Sequence, residues 1–334
     1  MTTRSLSLFG LIFILLSLAL IGCGGANNVA DNSAQAAPGG LKVAMVLPGA
    51  IDDKGWCQVG YEGLQLIEKE LGAQVAYTAN VPPDEEEMTK IFRQYAQDGF
   101  DFIIGHGGEY IPAAEVVAEE FPDIKFAVVA GYAGNNNNFG ALSFREGEVG
   151  YLTGVVAALK TKTNKVAYIG GEAYPHMLEQ SVLFERGAKA VNPSVEVSIE
   201  WVESWSDQDK AKEIAQSQLK GGADVILADA DSAGLAVLEV AKEANIYGIG
   251  WSLDQHELAP GTILTSAIQR VPVLLLEGAT LVQQGRWEGK QYKFGLQEGA
   301  QELAPFYGLL TPEEEAKVNT IKQDILTSKI DVAP

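Results

Sequence analysis

Short apolar runs rich in Val and Ile recur along the chain from Leu41, separated by longer stretches in which apolar residues return every three or four positions. The runs at 42–47, 74–79, 101–104, 125–129, 165–169, 195–201, 224–227 and 247–250 read as strands. Their apolar residues are nearly continuous, the pattern of parallel strands covered on both faces. Between them, 85–98 sets Met88, Phe92 and Tyr95 on one helical face, and 207–220 does the same with Ile214, Ala215 and Leu219. Strand and helix alternate, so the class is α/β, built from βαβ units. The alternation pauses at the polar loop 134–140 and restarts near Lys165, which predicts two Rossmann-like lobes with parallel sheets. Ligands of open α/β sheets bind beyond the carboxyl ends of the strands. The residues after Leu47, Ile104, Ile169, Trp201, Leu227 and Gly250 are therefore expected to converge on a cleft.

The chain ahead of Leu41 follows a different pattern. Arg4 precedes an almost unbroken apolar run from Leu8 to Ile21, which reads as an export signal. Leu20, Ile21, Gly22 and Cys23 resemble a bacterial lipobox, so residues 1–22 are expected to be a cleaved signal peptide and Cys23 the lipidated residue. Residues 23–40, rich in Ala, Asn, Gly and Ser, then read as a flexible tether. A diacylated cysteine anchors a protein stably at a membrane face. The expected location is the extracytoplasmic face of a cell membrane, periplasmic or external.

Charge narrows the partners. The formal charge of −20 repels phosphate backbones and anionic headgroups, so nucleic acid is excluded as a partner. With Cys23 and Cys57 the only cysteines and the first lipidated, no intramolecular disulfide is expected.

The strand ends carry the candidate chemistry. After the first strand come Asp52, Asp53, Lys54, Gly55, Trp56, Cys57 and Gln58, and a Trp beside a cleft offers a flat face to a planar ligand. The third strand runs into Gly105, His106, Gly107 and Gly108, where glycine lets backbone approach a ligand. Trp205 follows the strand containing Trp201; Asp229 and Asp231 follow another, and Ser252 and Asp254 the next. Strand-end Asp residues also cap helices, so two of Asp53, Asp229, Asp231 and Asp254 are expected in the pocket. Catalysis is not expected. His106, His176 and His256 are spaced far apart, no nucleophile elbow is present, and no Cys or His pair has metal-ligand spacing. Neither cofactor nor metal is implied.

Several unusual stretches in one order identify a family. Asp52, Asp53 and Lys54 with Gln58 and Gly63 come first, then Ser143 to Glu146 leading to 154–158, then Gly187 to Pro193. Asp254 with Gln255, Ala259 to Thr262, and Thr265 with Ser266 complete the set. From Leu41 to about Gly285 the chain resembles the basic membrane protein (PnrA-like) family of bacterial substrate-binding lipoproteins, whose best-known members bind purine nucleosides. The resemblance implies a type I periplasmic binding fold with three hinge crossings, near Ser143, Asp254 and Gly289. Lobe 1 would then comprise 41–143 and 255–289, and lobe 2 144–254 and 290–330.

The resemblance also implies that Trp56 and Trp205 stack on the ligand, that Asp53 makes a polar contact, and that Cys57, Ser252 and Gln269 stand where the family carries Asn, Asp and Lys. Loss of that Asp and Lys removes the groups expected to hold a ribose. A free base such as adenine is accordingly favoured over a nucleoside. The implied partners are an ABC permease and ATPase, and the implied state is a monomer. A ligand-sensing surface lipoprotein feeding a signalling partner is the alternative, and an exported hydrolase a third reading.

Overall fold

The computed structural model describes residues 40–52 and 55–333. The expected signal peptide, the Cys23 anchor and nearly all of the tether lie outside the described residues, as does Asp53.

Among the described residues, two six-stranded sheets form two lobes. The first sheet contains β1 (Lys42–Val46), β2 (Gln74–Thr78), β3 (Phe102–Gly105), β4 (Lys125–Val129), β5 (Phe139–Phe144) and β11 (Gln291–Phe294), in the order β11-β5-β4-β3-β1-β2. The second contains β6 (Lys165–Gly170), β7 (Glu196–Trp201), β8 (Val225–Asp229), β9 (Tyr247–Ser252), β10 (Ile263–Gln269) and β12 (Gln301–Leu303), in the order β12-β10-β9-β8-β6-β7. Pairing is parallel throughout except between β10 and β12.

Helices cover both faces, which is why the strands read as continuous apolar runs. In β1, Val43 and Met45 enter one core cluster while Ala44 and Val46 enter the other. In β6, Val166 and Tyr168 face one cluster and Ala167 and Ile169 the opposite one. The covering helices include α1 (Trp56–Leu71), α2 (Glu85–Gln97), α3 (Ile111–Glu120), α4 (Glu146–Lys160), α5 (Pro175–Val191), α6 (Gln208–Lys220), α7 (Asp231–Glu243), α8 (Val271–Gln283) and α9 (Pro312–Leu326). Their starts are set locally. Asp84 accepts from Glu87 N at 2.8 Å to begin α2, Asp207 from Lys210 N at 3.0 Å to begin α6, and Thr311 with Glu314 forms a capping box for α9.

The pairing corrects the expected lobe boundaries. β10 lies beside β9 in the second sheet, so the chain stays in that lobe past Asp254 and crosses at Arg270. α8 then packs on α1, where a Cβ on Gly63 would meet Pro272 and Leu275. β11 pairs with β5 in the first sheet, so the third crossing follows Phe294 and not Gly289. The first crossing, at Arg145, falls beside the expected Ser143. The loop expected at 134–140 ends early, because Phe139, Ala141 and Leu142 are buried and form β5.

The crossings are braced to one another. Arg145 N donates to Phe294 O at 2.9 Å, and its guanidinium forks onto Glu298 at 2.8 and 3.0 Å. Arg270 N donates to Ala300 O at 2.7 Å, and its guanidinium reaches Gly299 O and Glu302. Leu296 N donates to Glu148 Oε2 at 2.6 Å.

Candidate functional site

At the carboxyl end of the first sheet, the chain after β1 turns into α1 and starts it with Trp56, while β3 delivers His106 beside it. The two residues are locked together. The indole Nε1 donates to His106 O at 3.0 Å, the imidazole Nε2 lies 2.7 Å from Trp56 O, and the rings stack with centroids 4.1 Å apart and planes 15° apart. His106 is fully buried, so this expected ligand contact instead backs the indole. Trp56 itself is 43% exposed, with one ring face covered by His106. Gly60 makes the wedge possible, because a Cβ there would sit 2.6–2.9 Å from the imidazole atoms.

Two further expected contacts serve packing. Cys57 points into the core with Leu64 and Ile67, on the inner side of α1. Gly105 yields its side-chain space to Tyr110, whose Cβ would lie 2.5 Å from an added Cβ.

At the carboxyl end of the second sheet, Trp205 rests on Gly171, where any Cβ would collide with the indole. Its carbonyl accepts from Ser232 Oγ at 3.1 Å and Ala233 N at 3.0 Å, fastening the loop to the start of α7, and Tyr174 lies 6.4 Å away by ring centroid. Trp201 turns instead toward its own lobe, edge-on to Tyr168. Each lobe thus presents one indole at its strand ends.

The acids divide. Asp254 is exposed and bonded to Tyr307 Oη and to His256 N, part of a surface turn in which His256 and Tyr307 stack at 3.7 Å. Asp231 is exposed and opens α7 with φ of +47°, where its charge favours the helix N-terminus. Ser252 is exposed with φ of +66°. Asp229 differs from all three: it is buried at the end of β8 and accepts from Tyr168 Oη at 2.6 Å and from Gln180 Nε2. Burial pushes its carboxyl up to about 7, against the lowering effect of those two donors.

Gln269, at the end of β10, leads to residues the sequence reading missed. Its Nε2 donates to both oxygens of Glu146, at 3.2 and 2.9 Å, and Gln301 Nε2 adds a bond at 3.2 Å. Glu146 is buried, and that burial, followed by the charge of Asp229, raises its carboxyl to about 8. Glu146 had served only as a family landmark. The usable signal was a carboxylate within two residues of the end of an apolar strand, as at Asp229.

A cavity of about 420 Å³ lies beside the hinge, with Arg145, Glu148, Glu179, Lys293, Ser328 and residues 330–333 in its wall. It contains none of the expected site residues and lies away from both indoles' immediate partners. Among the described residues no cluster of His, Cys, Asp and Glu is arranged to hold a metal ion, and no helix is long and apolar enough to cross a membrane.

Known proteins resemble this chain along nearly all of the described length. A family model described as ABC transporter substrate-binding protein PnrA-like (Bmp) matches residues 41–333. A purine-binding protein of Brucella abortus is 29% identical, with 87% of this chain and 84% of that protein covered. The nucleoside-binding ABC transporter protein BmpA of Lactococcus lactis is also 29% identical, with 87% and 89% covered. The crystal structure of a transcriptional activator of the comK gene from Bacillus halodurans aligns with a TM-score of 0.76 at 27% identity, covering 87% of this chain and 99% of that one. The two-lobed architecture is that of type I periplasmic solute-binding proteins.

Proposed function

We propose, from the premise that this chain belongs to the PnrA-like Bmp family of ABC transporter substrate-binding proteins, that it captures a purine-type ligand in the interlobe cleft and delivers it to a permease and its ATPase. The observation that carries this reading is the Trp56 platform: an indole stacked on a buried histidine and still 43% exposed, at the carboxyl ends of the first sheet. Trp205 is its counterpart on the second lobe. A flat heterocycle stacked on such rings gains about 0.5–1.5 kcal/mol per aromatic pair beyond area burial.

A nucleobase such as adenine is favoured over a nucleoside. Ser252 and Gln269 stand where nucleoside binding implies Asp and Lys, and here Gln269 spends its amide on Glu146. The purine- and nucleoside-binding relatives support the ligand class. The chain is further proposed to be anchored through diacylated Cys23 on the extracytoplasmic face of a membrane, and to act as a monomer without enzymatic activity.

The test is calorimetry on the full chain, stripped of ligand by unfolding and refolding, with tryptophan fluorescence alongside. Adenine is expected to bind one to one with quenching, and Trp56→Ala to weaken it by roughly two- to tenfold, the equivalent of one lost stack. Tighter binding of adenosine and guanosine would reverse the base preference, and no purine binding would overturn the ligand class.

A second reading rests on the likeness to the Bacillus halodurans activator: a surface sensor that binds ligand and signals to a partner protein. The −20 charge opposes direct contact with DNA.

A further inference from the structure

The buried polar groups where the crossings meet the second sheet are short of donors. Glu146 and Asp229 receive their side-chain bonds from Gln269, Gln301, Tyr168 and Gln180, and both bonds to Asp229 fall on Oδ2. Among the described residues no cation bonds to either carboxylate. Arg145 and Arg270 are committed to Glu298 and Glu302, and Lys293 to Glu179 at 3.0 Å. Two more acceptors stand beside them. Gln180 and Gln301 are fully buried, and neither Oε1 receives a hydrogen bond. Each amide donates through its Nε2 to one of the two carboxylates, so each Oε1, one carbon away, sits beside that carboxylate.

We propose that this cluster is the polar half of the ligand site, and that it accepts from the N–H donors of a ligand edge, such as the exocyclic amino group of an aminopurine, in preference to a carbonyl-bearing edge. The proposal rests on the reading that the ligand lies at the strand ends. The position suits it: Asp229 and Gln269 are the last residues of β8 and β10, Glu146 follows the first crossing, and Gln301 follows the third and pairs with Gln269. A closed structural network spends its acceptors internally. Here two neutral acceptors and the free side of Asp229 remain, and an unmet buried acceptor costs about 1–3 kcal/mol. A ligand that supplies the missing donors recovers that cost, and one that presents a carbonyl adds to it.

Ionisation gives the readout. The groups facing Glu146 are Asp229 from β8, Glu179 from α5, and Tyr168 from β6, with His176 and Lys293 near Glu179. Burial leaves Glu146 and Asp229 partly protonated at neutral pH, whereas an N–H donor is held more strongly by the ionised form. Binding therefore expels protons, and affinity rises as pH climbs through the two raised values.

The experiment is calorimetry on the full chain at about pH 6.5 in phosphate and in Bis-Tris, whose differing ionisation heats report proton exchange, with affinities repeated up to about pH 8.5. Adenine and hypoxanthine are titrated against the wild type, Glu146→Gln and Asp229→Asn, with circular dichroism checking the fold. The expected result is proton release with adenine, affinity rising severalfold with pH, and loss of about tenfold in Glu146→Gln, as for a charge-assisted hydrogen bond, with little change for hypoxanthine. Adenine binding that depends on Trp56 but releases no protons, or is unchanged in both variants, would overturn the cluster's role and leave the purine reading standing. If no purine binds, benzamidine serves as a flat amidine probe. Glu146-dependent binding with proton release would then uphold the cluster and retire the purine reading, and its absence would overturn both.

Discussion

Replacing Gly60 with alanine tests the wedge beneath the Trp56 platform. The new Cβ would lie 2.6 Å from His106 Nε2, 2.7 Å from Cδ2 and 2.9 Å from Cε1, so the whole ring edge must retreat. It has nowhere convenient to go. The imidazole is fully buried, stacked on Trp56 and held 2.7 Å from Trp56 O. Overpacking of this kind costs about 1–3 kcal/mol, while alanine for glycine inside a helix returns about 1 kcal/mol. Overpacking wins because the obstacle is a bonded ring rather than the free end of a flexible chain. The net expectation is a loss of up to about 2 kcal/mol, or a fall in Tm of up to about 3 °C for a chain of this size. Tryptophan emission should shift and ligand affinity should fall in the same variant, since the indole loses its backing. Thermal melts, emission spectra and ligand titration measure the three effects. A variant more stable than the wild type with unchanged emission would refute the claim that His106 positions Trp56.

Asn138 offers a second test, because its amide nitrogen donates to Ala118 O, Phe121 O and Ile124 O at 2.9–3.1 Å from a fully buried site. Asn138→Ala should cost about 2–4 kcal/mol in denaturant unfolding, and a loss under about 0.5 kcal/mol would show that those carbonyls find other partners. The raised carboxyls of Glu146 and Asp229 predict a pH effect on the ligand-free protein. Both bind protons more tightly when folded, so the stability they contribute is complete below the ordinary carboxylate range and is lost as pH rises from about 4 to about 8. In high salt, which screens surface repulsion, melts should therefore fall from mildly acidic to alkaline pH, and Glu146→Gln should flatten that slope; equal slopes would contradict the assignment.

Strands buried on both faces were legible because their apolar runs need no tertiary context, as in Lys42–Val46 and Lys165–Gly170. Two of the four edge strands were not: Gln291–Phe294 is half polar and Gln301–Leu303 spans three residues, so neither carries a periodic signal. The crossing at Arg270 was equally hidden, since the apolar segments on either side of it do not say which sheet they join. At the site, position was readable but orientation was not. Trp56 and Trp205 were picked out as strand-end aromatics, yet the burial of His106 depends on a partner fifty positions away in sequence. Glu146 and Asp229 come together only through the hinge, so the sequence presents them as two unrelated acids.

The central claim is that the cleft holds a purine-type ligand, and the direct measurement is the identity of the molecule the chain carries. The full chain, purified without denaturant, would be unfolded and the released small molecules identified by mass spectrometry. The account predicts a purine base near one equivalent, strongly depleted in Trp56→Ala. A stoichiometric ligand with no flat heterocycle, retained by that variant, would contradict it.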